Sequence, residues 1–145
     1  MRALVALCIA SGAFWGPQPS APAATQTTRT TRDGVYTLAQ ARRGEELYKR
    51  ECTLCHRDDL RGNTVDGGPP LRGLQFTTRW QDIDVETLLS TIEELMPLEE
   101  PGSLSRQEYV DILSFVLWAN DLPAGEGELP TGSDDLQQII VAFQP

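Results

Sequence analysis

The chain has 145 residues, 40% hydrophobic and 23% charged, with a formal net charge of −9. That is one domain's worth of material, and an acidic chain without a basic cluster is a poor nucleic-acid binder. Three cysteines, one of them in the first apolar stretch, exclude a disulfide-rich scaffold.

Met1-Arg2 is a positively charged start, residues 3–15 form an apolar run, and Ala21-Pro22-Ala23 has the small-x-small pattern of a cleavage site. Together they read as a secretory signal peptide over residues 1–23, and hence as export to the periplasm. The run is too short for a spanning helix, which needs roughly 20 residues. An uncleaved anchor tethering the protein to the membrane is the alternative. Cys8 lies inside the run and leaves with it. Residues 24–34, rich in Thr and without apolar period, read as a flexible leader.

Thr37 with Gln40 fits a capping box and predicts a helix to about Glu51. Gly44, Tyr48 and Cys52 share one face of it, and a glycine within a helix points to close approach of another backbone. Residues 57–79 read as loop, with Gly62, Gly67, Gly68, Pro69, Pro70 and Gly73. Asp84 caps a second helix whose stripe is Val85, Leu88, Leu89 and Ile92, ending before Met96-Pro97. Ser105 and Glu108 form another capping box, opening a strongly apolar helix to about Asn120. Residues 123–145 then form an extended arm, with Leu136, Ile139, Ile140 and Phe143 spaced for a short amphipathic turn. With no sustained strand alternation, residues 35–122 read as one all-α domain.

Cys52-Thr53-Leu54-Cys55-His56 has the c-type haem attachment pattern. Two thiols must reach two vinyl groups on one porphyrin edge, and the next residue must turn an imidazole under the iron. Rival chemistries lack residues. A structural zinc site needs four ligands, and the mature chain offers two cysteines, its only histidine and carboxylates. A thioredoxin-like CxxC wants a βαβ setting, and a Cys-His nucleophile wants partners that meet through the fold.

With His56 the only histidine, Met1 lost with the signal segment, and Lys49 one turn before Cys52, the sixth iron ligand falls to Met96. Its bland role would be core filler. An empty sixth position, as in a gas sensor or peroxidase, is the rival reading.

From about Gly34 to Pro130 these residues resemble the class I cytochromes c. The resemblance implies a small fold of three main helices around one covalent haem, with long loops. It implies that Gly44 and Tyr48 pack on the last helix, and that Gly68-Pro69-Pro70-Leu71-Arg72-Gly73 is the proximal loop. There a proline carbonyl, Pro69 first and Pro70 second, accepts the other nitrogen of the ligand histidine. Leu71 belongs to the same haem-lining loop, and Trp80 is either a donor to a haem propionate or a packed aromatic at a helix entrance. Arg57 departs from the glycine that usually follows the ligand histidine, and its charge could sit near the haem edge.

Three stretches resemble, more narrowly, the small cytochromes that accept electrons from quinoprotein (PQQ) dehydrogenases: residues 33–37, residues 101–105 with 109–112, and residues 120–125 leading to 128–130. The expected function is a one-electron carrier, not an enzyme, because two filled axial positions leave no place at the iron for a small-molecule substrate. Donor and acceptor would be a periplasmic dehydrogenase and a downstream cytochrome or terminal oxidase. A fixed subunit of a dehydrogenase or oxidase complex, docking through Leu136 to Phe143, is the alternative, beside the ligand-binding haem protein. Charge is lopsided: residues 25–81 carry ten basic side chains against seven acidic, and residues 82–145 carry fourteen acidic and only Arg106. That is either a solvated surface or a dipole that orients on approach to a partner.

Overall fold

The computed structural model describes residues 28–63 and 67–143, so the signal segment and the first residues of the leader lie outside the described residues. The elements in chain order are β1 (Arg29–Thr30), α1 (Leu38–Glu51), α2 (Thr53–His56), α3 (Leu74–Trp80), α4 (Val85–Leu95), α5 (Arg106–Ala119), α6 (Ser133–Gln137) and β2 (Ile139–Ile140). The fold is all-α, and β1 and β2 add one short parallel pair.

Helix α5 is the centre. Residues Tyr109 to Leu117 are all buried, the mark of a helix surrounded by protein. Its start is the reciprocal box of Ser105 and Glu108: the serine accepts from the Glu108 N–H, and the carboxylate accepts from the Ser105 N–H at 2.8 Å. Helix α1 crosses α5 at Gly44, where any Cβ would overlap the Asp111 carbonyl. The glycine costs about 1 kcal/mol of helix propensity, and the crossing requires it. One turn on, the Tyr48 and Phe115 rings meet at 5.1 Å. Helix α4 lays Val85, Leu88 and Leu89 on the core, and Asp84 caps it by accepting from the Thr87 N–H at 2.8 Å.

Four expectations need correcting. Thr37 caps α1 by accepting from the Gln40 N–H at 3.1 Å, but Gln40 does not reach back. Its buried amide instead donates to the Leu129 carbonyl at 3.1 Å and accepts the Leu129 N–H at 2.7 Å. A buried amide must satisfy both ends, and an extended main chain offers a donor and an acceptor together.

Residues 57–79 are not loop throughout, because α3 begins after Gly73. The leader is built into the domain from residue 28. Thr30 and Asp33 cap a 3-10 turn, and the buried Thr31 hydroxyl both donates to and accepts from the main chain of Ala142, at 3.1 and 2.9 Å. Finally, residues 136–143 are not one amphipathic helix. After α6 the β-branched pair Ile139-Ile140 extends alongside Arg29-Thr30, as such residues favour.

The arm folds back on its own domain. Tyr36 donates to the Leu122 carbonyl at 2.6 Å, and Leu122, Leu129, Leu136, Ile139 and Val141 are all buried. Leu136, Ile139 and Val141 of the stretch 136–143 are therefore used inside the molecule.

Candidate functional site

Helix α1 runs into the attachment motif without a loop. Cys52 ends α1 and starts α2, its N–H donating to the Tyr48 carbonyl at 2.9 Å, while its own carbonyl accepts from the Cys55 and His56 N–H groups. Neither cysteine is in a disulfide, and both are half-buried. Burial, then the charges of Glu51 and Cys55, push the Cys52 thiol up to about 11, so it stays protonated at neutral pH.

His56 is buried. Burial holds its imidazole below the ordinary value, outweighing the opposing effect of its hydrogen bond to Pro69, and a neutral ring is the ligating form. Its Nδ1 lies 2.7 Å from the Pro69 carbonyl. A carbonyl can only accept, so Nδ1 carries the proton and Nε2 is the nitrogen left to bind a metal.

The loop beneath is close-packed around that bond. Gly68 donates to the Cys55 carbonyl at 3.1 Å and accepts from Asn63 at 3.1 Å, and Gly62 donates to the His56 carbonyl at 3.1 Å. A Cβ on Gly68 would overlap the His56 ring. Leu71 is half-buried; its N–H donates to the Leu60 carbonyl at 2.8 Å, and its carbonyl accepts from Asn120 at 2.8 Å. Asn120 also accepts from the Gly73 N–H at 3.2 Å, which ties this loop to the end of α5.

Arg57 stands at φ 62, ψ 163, a region that is essentially glycine's. Its carbonyl accepts from the Tyr48 hydroxyl at 2.7 Å, and that bond holds the strained turn. Its exposed side chain borders an open depression of about 500 Å³, shared with Thr53, Leu54, Asp58 and Asp59.

Met96 ends α4 with extended backbone. Its carbonyl accepts from the Tyr109 hydroxyl at 2.7 Å, which fastens this turn to α5. Trp80 closes α3, half-buried, its ring 6.5 Å from Phe76 and beneath the Arg79 guanidinium at 5.3 Å. The structure thus joins His56, Pro69 and Leu71 in one hydrogen-bonded loop and sets Met96 and Trp80 on separate elements.

Tyr48 and Gly68 were placed by the resemblance, on the helix crossing and in the proximal loop, but the bonds of the Tyr48 and Tyr109 hydroxyls and of the Asn120 amide were not foreseen. Nothing in spacing announces a hydroxyl that bonds a distant carbonyl. Large apolar side chains left in water gather on the same segments: Leu54 is 88% exposed, Leu74 79% and Leu98 73%.

Residues 39–116 match the family model described as cytochrome C oxidase, cbb3-type, subunit III. The chain belongs to this cytochrome family. It is a c-type cytochrome, with haem c bound covalently and electron transfer as its chemistry. It is also similar to the thiosulfate dehydrogenase of Stutzerimonas stutzeri (strain A1501), 36% identical over 78 residues, which are 51% of this chain and 25% of that protein. The chain therefore spans about a quarter of the length of that curated relative. No solved structure matches it.

The residues present fit a covalent haem. Two cysteines outside any disulfide sit one helical turn apart, burial disfavours the charged form of the neighbouring histidine, whose Nδ1 is already committed, and the missing Cβ of Gly68 leaves room for its ring. Among the described residues no three or more of His, Cys, Asp and Glu are gathered to hold a metal ion, so the zinc reading has no ligand set there.

Proposed function

We propose that this cytochrome is an exported single-haem electron carrier, with haem joined to Cys52 and Cys55 and iron held between His56 and Met96. The haem supplies a one-electron iron couple. The bond from His56 Nδ1 to the Pro69 carbonyl, directly after the two thiols, carries the reading. It fixes the tautomer, orients the ring and raises its basicity as a ligand. Met96, fastened through its carbonyl to Tyr109, serves as the second axial ligand, which favours the reduced state.

With both positions filled, substrate has no access to the iron and electrons leave through the haem edge. The export pattern of residues 1–23 supports a periplasmic site of action. Similarity to part of a thiosulfate dehydrogenase supports a dehydrogenase as donor, of which a PQQ-type quinoprotein is one class. The acceptor is then a downstream cytochrome or terminal oxidase. Among the described residues no helix is long and apolar enough to cross a membrane.

A second reading, a fixed electron-transfer subunit of a larger complex, is favoured by the oxidase-subunit description of the family. Two measurements decide. Mass spectrometry of the exported protein should show one haem per chain, lost in Cys52→Ala/Cys55→Ala. Fractionation without detergent should recover the haem absorbance as a soluble monomer. Co-fractionation with a larger assembly that resists high salt would replace the mobile carrier with the subunit reading, and an unmodified exported chain would remove both.

A further inference from the structure

Between α4 and α5 the chain leaves as Met96 and returns at Ser105, so the proposed ligand sits on a short loop. Within it the Gly102 N–H donates to the Met96 carbonyl at 3.4 Å, a long bond that gives little restraint. The base of the loop is held differently. Arg106, the first residue of α5, donates through Nη1 to Glu93, in the last turn of α4, at 2.8 Å. Its Nη2 donates to Glu86, two turns earlier on α4, at 2.5 Å.

The third nitrogen is used as well: Nε donates to the Thr131 carbonyl of the arm at 2.6 Å. Glu86 in turn accepts from the hydroxyls of Ser133 at 3.0 Å and Ser90 at 3.2 Å. Arg106 is the only cation after residue 82, and it is half-buried against its carboxylates, at 31% side-chain exposure against 13% for Glu86 and 22% for Glu93. A guanidinium with all three nitrogens engaged and partly out of water is a rigid fork, unlike a solvated surface pair.

We infer that Arg106, paired with Glu93 and Glu86, is a staple across the base of the Met96 loop that sets how firmly the methionine sulfur is held at the iron. The inference rests on Met96 being the sixth ligand. The physical ground is loop closure: a tie between the ends of a loop reduces the conformations its middle can reach. Cutting the tie leaves α4 its apolar seat and the loop its Tyr109 bond, but frees the loop ends to part. Arg106 touches neither sulfur nor iron, so it is a positioning residue. Arg43 makes a comparable fork that joins α1 to α5 and the arm and does not bridge the ends of the loop, to Asp111 at 3.0 and 3.2 Å and Glu128 at 2.8 Å, and provides the control.

The test is an imidazole titration of the oxidised holoprotein, following loss of the long-wavelength iron–sulfur band, for wild type, Arg106→Gln, Glu93→Gln, Arg43→Gln and Met96→Ala. Glu93→Gln is the milder variant should Arg106→Gln fold poorly. The expected result is imidazole binding about tenfold tighter in the Arg106 and Glu93 variants, with Arg43→Gln at the wild-type value although its melting temperature also falls. Equal tightening in Arg43→Gln would reduce the effect to general destabilisation and overturn the staple. An unchanged affinity in both loop variants would overturn it too, with the ligand assignment left standing. A wild type without the band, with imidazole affinity unaltered in Met96→Ala, would remove the ligand and the staple together.

Discussion

The two sides of the proposed haem site are held by different kinds of bond. On the His56 side most of the fastening is local main chain, Gly68 to Cys55, Gly62 to His56, Leu71 to Leu60 and the Pro69 carbonyl under the ring, with the Asn120 amide and the Tyr48 hydroxyl as added ties. On the Met96 side it is made by side chains from another helix, the Tyr109 hydroxyl and the Arg106 fork. Main-chain bonds inside a close-packed loop resist change, because moving one residue disturbs several carbonyls and N–H groups. A segment held by side chains has separate, removable fastenings. Under the proposed ligation the histidine side governs how the haem is held, and the methionine side how it is tuned.

The sharpest break of that contrast is Gly68→Ala. Its methyl must displace the His56 ring and with it the Pro69 bond, an overpacking cost of about 3 kcal/mol. The measurement is denaturant unfolding together with the yield of haem-loaded protein, both expected to fall. Met96→Ala comes next. Haem should still attach, while the midpoint potential drops on the order of 100 mV, well inside the ~0.8 V that axial ligands span. Redox titration checks it.

Tyr109→Phe removes one bond and leaves the Met96 carbonyl with the long Gly102 contact. About 1 kcal/mol of stability should be lost, with weakening of the iron–sulfur band and none of the His56 environment. The smallest change runs the other way. Arg57→Gly relieves a backbone that only glycine adopts easily, so the free energy of unfolding should rise by about 1 kcal/mol, a stabilisation. A melt of variant and parent would show it, and no gain would mean that the Arg57 side chain contributes as much as its backbone costs.

How legible this was from sequence follows the same division. Helices α4 and α5 were readable because each opens on a side-chain cap, Asp84 or Ser105, and continues in a stripe of period 3.6. Gly44 announced its crossing, since a helical glycine has few other reasons to be there. Helix α3 was not readable: it starts at Gly73 with no side-chain cap, spans seven residues and buries only Phe76. Gln40 was read as a local cap because its strongest partner, Leu129, is far along the chain. Residues 28–34 read as leader because their order comes from Ala142 and the β2 strand, which no local pattern contains. Within the candidate site the chemistry-bearing residues stood out by type and spacing, and what escaped were the hydroxyls and amides that act at a distance.

The most direct test of the whole account is an optical spectrum of the exported protein, oxidised and reduced, with and without carbon monoxide, repeated on Met96→Ala. The account predicts a low-spin spectrum with the weak long-wavelength iron–sulfur band and no response to carbon monoxide, and loss of the band with gain of carbon monoxide binding in the variant. A high-spin wild type that binds carbon monoxide readily would contradict it and put a ligand-binding haem protein in its place.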